Sequence, residues 1–312
     1  MEIDVIIPLY KPGKELFTLL DKLGSQSVPV HQVILLNTEE KYFDQLIYGI
    51  RFLETYQNIK VYHFSKREFD HGGTRRMGVK KSSADVFVMM TQDAMPKDDR
   101  LIEKLVEPLQ GEVAVAYARQ LPREDSTPVE SYTREFNYPA KSRIKSAADL
   151  DSLGIKTFFC SNVCAAYRRE IYEELGGFVR HTIFNEDMIY AAKAVEAGYS
   201  VAYAADAQVV HSHNYTNGQQ FHRNFDLGVS QAEHPEIFAA YPSESEGKRM
   251  VKDVTVYLRS NHMSAGLPHF YMQCACKYAG YLLGKNYRRL PKKWVLAFTS
   301  NKEYWKQNRK DV

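Results

Sequence analysis

An apolar, β-branched run begins at the third residue of this chain. Residues 3–9 read as a strand buried on both faces, and helical periodicity over 14–24, a second apolar run at Val33–Leu36, a helical stretch over 40–57 and a third run at Ile59–Phe64 follow in close order. This β-α-β-α-β alternation admits few folds, because strands joined by helical crossovers run parallel and the crossovers are right-handed. The alternation continues with a short helix at Gly78–Lys81, a strand at Val86–Thr91, a helix over 99–110 N-capped by Asp98 and stopped at Gly111, and a strand at Val113–Ala118. Residues 119–155 are polar and irregular and read as a loop or lid, and 157–167 return to the sheet. A helix reaches Glu174, another covers 186–197, and Val201–Ala204 and Ala207–Val210 close the sheet. The expectation is an α/β, Rossmann-like, mostly parallel sheet flanked by helices over residues 1–215, then a helical region over 216–312.

With 44% hydrophobic and 25% charged positions, the 312 residues suit one large α/β domain and an appendage, and exclude disorder, collagen and coiled coil as the main state. Four cysteines are too few for a disulfide scaffold, and no leader pattern precedes the first strand, so the expected location is the cytoplasm. Their C-x₃-C and C-x-C spacing, over a hundred residues apart, matches no usual zinc site. Charge is unevenly spread: residues 248–312 hold 14 Lys/Arg against 3 Asp/Glu, whereas the preceding 247 hold 27 against 35. A basic end on an acidic body seeks an anionic partner.

Ligands of open α/β sheets bind beyond the carboxyl ends of the strands. Five short constellations fall there. Thr91-Gln92-Asp93-Ala94 follows an apolar strand, and Asp93 either holds a divalent cation or caps its own turn. In Asp70-His71-Gly72-Gly73-Thr74-Arg75-Arg76, two glycines let the backbone approach a ligand and an arginine can pair with phosphate oxygens. The stretch is neither a dinucleotide fingerprint nor a P-loop, and taken alone it reads more readily as a plain Gly-rich turn with solvated arginines. Glu186-Asp187 opens a helix, either as capping acids or with one carboxylate as general base. His211-Ser212-His213 follows the last strand; an extended backbone would turn the two rings to opposite faces, so His211 is the candidate metal ligand and His213 the lesser one. Arg223 lies just beyond, either as a clamp on a diphosphate or as a solvated helix arginine.

The order of these elements resembles that of inverting family 2 glycosyltransferases with the GT-A fold, over roughly residues 3–230. Ile6-Ile7-Pro8-Leu9-Tyr10 resembles the opening strand motif, Gly73-Thr74-Arg75-Arg76-Met77-Gly78 the A-R-N-x-G element, Gln92-Asp93-Ala94 the metal-binding D-x-D, and Glu186-Asp187 the E-D element whose Asp is the base. Within the family, His71-Gly72-Gly73-Thr74-Arg75, Thr91-Gln92-Asp93-Ala94 and the run from Val210 to Gly228 resemble bacterial rhamnosyltransferases of cell-wall and O-antigen polysaccharide assembly. The resemblance implies Asp187 as catalytic base with Glu186 beside it, and Mg²⁺ or Mn²⁺ on Asp93 and His211. It implies a donor, dTDP-rhamnose, contacted by Pro8, Tyr10, Asn37, His71, Gly72, Gly73, Arg75, Gln92, Asp93 and Arg223. It also implies a polyprenyl-linked saccharide acceptor. The sequence departs from the family where Gln92 replaces the first Asp, Arg76 replaces an Asn, and Asn37-Thr38 stands where a base-contacting Asp is common. Asn224 replaces the Trp of processive synthases.

Residues 267–284 are aromatic and apolar but interrupted by His269, Gln273 and Lys277, short of the ~20 apolar residues of a spanning helix. Lys285, Arg288, Arg289, Lys292 and Lys293 follow, interleaved with Tyr287 and Trp294, a pattern suited to an anionic membrane surface or to a solvated face of a packed bundle. The expectation is therefore a protein peripheral to the inner face of the cell membrane. No nucleic-acid-binding motif is present. Rival readings are a UDP- or GDP-sugar transferase of the same fold and a catalytically silent membrane-bound scaffold.

Overall fold

A computed structural model describes residues 1–241 and 244–306. Nine strands form one sheet: β1 (Ile3–Tyr10), β2 (Gln32–Thr38), β3 (Ile59–Phe64), β4 (Val86–Met90), β5 (Met95–Pro96), β6 (Val113–Leu121), β7 (Arg143–Lys145), β8 (Cys164–Arg168) and β9 (Ser200–Val210). Their order is β3-β2-β1-β4-β8-β6-β9-β5, with β7 also on β9. β1 to β4, β6 and β9 all run one way, while β8 is inserted antiparallel between β4 and β6, and β5 and β7 run antiparallel to β9. The reversal of β8 matters for the site. It carries the beginning of that strand, not its end, to the same edge as the ends of β1, β4, β6 and β9.

The apolar runs became strands because both faces of the sheet are covered. Ile3, Val5 and Ile7 point into one fully buried layer with Leu16, Leu19 and Leu23, while Ile6, Ile34 and Phe87 point into the other with Val79, Tyr167 and Tyr190. Boundaries shifted where local chemistry overrode periodicity. The 40–57 stretch divides into helices Glu40–Ile47 and Phe52–Thr55, interrupted by Gly49 at φ +74°. The helix after Asp98 is shorter than expected, Leu101–Val106, because the Asp98 carboxylate bonds the Arg100 N–H in a turn before it. Residues 119–155 are not all loop: Thr127 caps a helix Pro128–Asn137, with Pro128 at its first turn. Residues 157–163 stay outside the sheet, and the two final strands are one, with a register shift against β6 between Ala118 and Arg119.

Residues beyond Thr216 pack onto the sheet domain rather than standing apart. The helices Asn217–Glu233 and Leu267–Lys285 cross with glycines at their contact. A Cβ on Gly280 would collide with the Phe221 carbonyl, one on Gly284 with the Phe225 carbonyl, and one on Gly228 with the Tyr281 carbonyl. The chain end returns to the same helix: Asp226 accepts from Thr299 Oγ1 (2.6 Å) and Ser300 N (2.8 Å), and Tyr304 donates to Glu233 (2.9 Å). No helix among the described residues is long and apolar enough to cross a membrane. Gly284→Ala is expected to destabilise the protein by about 1–3 kcal/mol, read as a lowered Tm, because the obstructing atoms are backbone and cannot rotate away.

Candidate active site

Three non-glycine residues at the carboxyl edge of the sheet have positive φ: Lys11 after β1, Glu39 after β2 and Asn185 before the helix Glu186–Glu196. Such strained backbone persists only where its surroundings hold it. A cavity of about 550 Å³ opens here, lined among others by Asp93, Asp187, His211, His213, Arg75 and Arg223.

Asp93 lies in the turn after β4, and His211 and His213 leave the end of β9. The two imidazoles do not point apart. His211 Nε2 stands 3.5 Å from Asp93 Oδ1, His213 Nε2 stands 3.1 Å from Asp93 Oδ2, and the two nitrogens are 3.1 Å from each other. The expectation of opposite faces fails because the chain leaves strand geometry after Val210, and Tyr215 stacks on the His213 ring at 4.8 Å. These three residues form the one candidate metal-binding group found among the described residues, with ligand atoms all within 4.8 Å; no cysteine belongs to it.

The His211 tautomer follows from its partners. Arg134, which has only donors, meets Oε1 of the buried Gln120, while Gln120 Nε2 donates to Tyr138 Oη (2.6 Å) and Ser161 Oγ (3.0 Å). Gln120 Oε1 is therefore the acceptor for His211 Nδ1 (3.0 Å), and Nε2 presents its lone pair to Asp93. Burial pushes His211 down to about 3, which keeps it in the neutral, ligating form. Burial opposes the charge of Asp93, but hydrogen bonds from His213 and Thr91 outweigh it and hold the carboxylate below its usual range. One carboxylate and two imidazole Nε2 atoms gathered at one point, His213 giving up its Nε2 proton on binding, fit a divalent transition metal.

The acidic pair divides its roles. Asn185, in the left-handed conformation and tied to Ser230 Oγ (3.2 Å), turns the chain so that both carboxylates face inward. Glu186 forms an ion pair with Arg75 (3.0 Å), the two side chains 5% and 7% exposed, and accepts from Asn162 Nδ2 (3.0 Å). Burial opposes its charge, yet Arg75, His71 and Asn162 together lower it. Asp187 has no ion-pair partner among the described residues. It accepts from the backbone N–H of Asn162 (2.9 Å) and Met188 (2.8 Å), and burial together with the Glu186 charge pushes it well above the usual carboxylate range.

The other expected contacts fall as follows. Gly72 and Gly73 lie in the first turn of the helix His71–Lys81, which starts seven residues earlier than expected, with Asp70 accepting from Gly73 N (2.6 Å). The close approach they permit is to the backbone of Val179 and Arg180, not to open space. Arg76 is likewise structural, donating to the carbonyls of Gly176 and Phe178. Gln92 donates to and accepts from the backbone of Tyr10 (3.2 and 2.9 Å), a bridge no carboxylate can make because it lacks the donor. Pro8 is within β1, and Tyr10 is exposed at its end, edge-on to Tyr42 at 5.8 Å. Asn37 corrects the expectation of a base contact. It is fully buried, with Nδ2 2.9 Å from His63 Nδ1, and is closed to any ligand. Glu39, two residues on, is partly exposed and accepts from the Lys66 backbone N–H (2.7 Å). His71 lines the cavity 3.8 Å from Glu186, and the exposed Arg223 sits between the rings of Phe184 and Tyr215, at 4.7 and 5.6 Å, with no ion-pair partner among the described residues. Sequence reasoning missed Gln120, Arg134 and Asn162. No motif marks them, since their importance comes from where β6, the Pro128–Asn137 helix and the reversed β8 converge.

The family model for glycosyl transferase family 2 matches residues 4–176. The chain is similar to the O-antigen chain rhamnosyltransferase RfbN of Salmonella typhimurium strain LT2, at 40% identity over 98% of this chain and 96% of that one. It is similar to the O-antigen chain rhamnosyltransferase WbaN of Salmonella anatum, at 37% identity over 96% and 95%. Among solved structures, the mannosyltransferase PcManGT from Pyrobaculum calidifontis, in complex with GDP-Man and Mn²⁺, shares the fold with a TM-score of 0.61 at 15% identity, covering 91% of this chain and 87% of that one. The Gln120→Leu variant is expected to bind Mn²⁺ about 10- to 100-fold more weakly by calorimetry without nucleotide, and Gln120→Glu, which keeps an acceptor for both Arg134 and His211, to bind it more tightly than the Leu variant.

Proposed function

Because the chain belongs to glycosyl transferase family 2, we propose that it moves L-rhamnose, with inversion, from dTDP-β-L-rhamnose to a hydroxyl of a lipid-linked saccharide in O-antigen-type polysaccharide synthesis. The observation that carries the donor and pathway is the 40% identity to an O-antigen rhamnosyltransferase along nearly the whole of both chains. The observation that carries the chemistry is that one cavity holds both a group of residues able to take a metal ion and a carboxylate with no ion-pair partner among the described residues.

Asp187 accepts the proton of the acceptor hydroxyl while that oxygen bonds the anomeric carbon, and the bond from that carbon to the dTDP oxygen breaks on the opposite face. Its raised proton affinity suits a group that must take a proton near neutral pH. Glu186 is unsuited to that task because Arg75 holds it ionised and in place. Asp93, His211 and His213 would hold the divalent ion, which supplies charge stabilisation to the departing diphosphate. Two imidazoles beside one carboxylate favour Mn²⁺ over Mg²⁺, which prefers an all-oxygen shell. Arg223, with no carboxylate partner among the described residues, is the cation available to the diphosphate; Arg75 is already engaged.

The exposed Tyr271, Met272, Tyr278, Leu282 and Trp294, beside the basic run Lys285 to Lys293, support peripheral attachment to an anionic membrane. Neutralising Lys285, Arg288, Arg289, Lys292 and Lys293 is expected to abolish salt-sensitive binding to phosphatidylglycerol vesicles in a flotation assay.

Calorimetry with dTDP-rhamnose, dTDP-glucose, UDP-glucose and GDP-mannose, each with and without Mn²⁺ or Mg²⁺, tests the donor. Metal-dependent preference for dTDP-rhamnose is expected, and preference for a UDP- or GDP-sugar would overturn the rhamnosyl reading while leaving the family intact. Asp187→Asn is expected to lower kcat by ~10²–10⁴ with donor affinity unchanged. Since the base works only when deprotonated and its proton affinity is raised, kcat/KM in the wild type should fall on the acid side at a pH above the ordinary carboxylate range. That limb should be missing from the Asn variant's residual rate.

A further inference from the structure

A second cavity, of about 500 Å³, adjoins the first, and His71, Phe184, Tyr215 and Arg223 line both. Its far wall is the returning chain end, Thr299 to Lys302, set against Gln219, His222 and Asp226 of the helix Asn217–Glu233. The charge in this cavity is unbalanced. Arg223 and Lys302 have no ion-pair partner among the described residues. The cavity's carboxylate, Asp226, is buried and has both oxygens occupied by Thr299 Oγ1 and Ser300 N, so it faces the backbone and not the two cations. The chain end also runs close to the basic Lys66-Arg67 loop, whose charges act on Glu303. Amides of Gln219 and Asn301 complete a lining rich in donors.

The segment that lines the cavity continues from the helix Lys292–Phe298. That helix contributes Ala297 to the cavity and carries Lys292, Lys293 and the 49% exposed Trp294 on its outer side. The second cavity therefore lies between the catalytic carboxylate and the basic, aromatic surface.

We propose that this cavity holds the phosphoryl end of a lipid-linked acceptor, its saccharide reaching past Arg223 toward Asp187 and its hydrocarbon chain leaving along the 292–298 helix. Lys302 is the specificity-determining cation of this subsite. An unpaired ammonium in a cavity whose walls offer amide donors matches a phosphate or diphosphate and does not match a neutral sugar, while Arg223, at the boundary of the two cavities, serves the donor diphosphate. The inference rests on the reading of this chain as a transferase with a lipid-linked acceptor. The same chemistry could come from a phospholipid headgroup, so the two sources are separated in the test.

The wild type and Lys302→Glu are titrated with farnesyl diphosphate, farnesol and inorganic pyrophosphate, with saturating dTDP and Mn²⁺ filling the donor side. Flotation with phosphatidylglycerol vesicles runs in parallel. Farnesyl diphosphate is expected to bind the wild type in the presence of dTDP, farnesol to bind far more weakly, and pyrophosphate to compete. Lys302→Glu should weaken farnesyl diphosphate about fivefold or more, through one lost contact and one new repulsion, with dTDP-rhamnose affinity and vesicle binding unchanged. Unchanged farnesyl diphosphate affinity in the variant would overturn the proposal, as would displacement of that ligand by dTDP. Parallel losses of vesicle and farnesyl diphosphate binding would assign the cation to the lipid surface and overturn it too. Failure of the dTDP-rhamnose reading shows separately, as lost preference among nucleotide sugars in the wild type. The farnesyl diphosphate comparison then proceeds with whichever nucleotide diphosphate binds.

Discussion

The buried ion pair between Arg75 and Glu186 is the interaction on which the site's chemistry depends. Two adjacent carboxylates in one dry cavity repel, and without a cation neither has a defined state. Arg75 resolves this by binding one of them. Glu186 becomes a fixed charge and an anchor, and that fixed charge, with burial, raises the proton affinity of its neighbour. The same pair joins the helix after β3 to the helix before β9, elements more than a hundred residues apart in sequence. Gly72 and Gly73 serve the same junction by letting the first of these helices come against the backbone of residues 179–180.

Around that junction the sheet supplies geometry through one reversal. Because β8 runs against its neighbours, Asn162 arrives at the carboxyl edge and holds both acids at once, with its amide side chain on Glu186 and its backbone N–H on Asp187. On the other side, Gln120 near the end of β6 is held by Arg134 and in turn orients His211. The Asp187 carboxylate and the His211 ring are thus each fixed from behind by a neutral amide whose orientation is itself determined.

Much of this was legible in sequence. β1 and β4 are continuous apolar runs covered on both faces, so the hydrophobic pattern located them within a residue or two, and the edge strand β3, with exposed Lys60 and His63, still shows as a β-branched and aromatic stretch. Asp93, Asp187 and His211 stand out in the sequence because their chemistry and their place after strands coincide, and the structure brings all three to one cavity. What sequence could not give is side-chain direction in irregular backbone. Periodicity argues for strands and helices, and His213 lies in neither, so its ring turned toward Asp93 against a strand-based expectation. Asn37 failed for the opposite reason: it is regular strand, and the regular alternation places it inside, against His63. Gln92 looks like a degraded metal ligand on paper, and only the Tyr10 backbone beside it shows that an amide is required there.

The glycine contacts between the helices Asn217–Glu233 and Leu267–Lys285 have a mechanical consequence. A backbone-to-backbone seam contains no side chains that can repack, so neither helix can slip by a turn or roll without driving a side chain into the opposing main chain. The pair behaves as one beam. Glu233, at the beam's end, receives Tyr287 on one carboxylate oxygen and Tyr304 on the other, each at 2.9 Å. The chain between those tyrosines is therefore a closed ring rather than a free arm, and closing it costs little entropy because its ends are already fixed together. Its shape is set by the beam, so the distance from the outward-facing Trp294 to the cavity floor is a built-in length of the molecule.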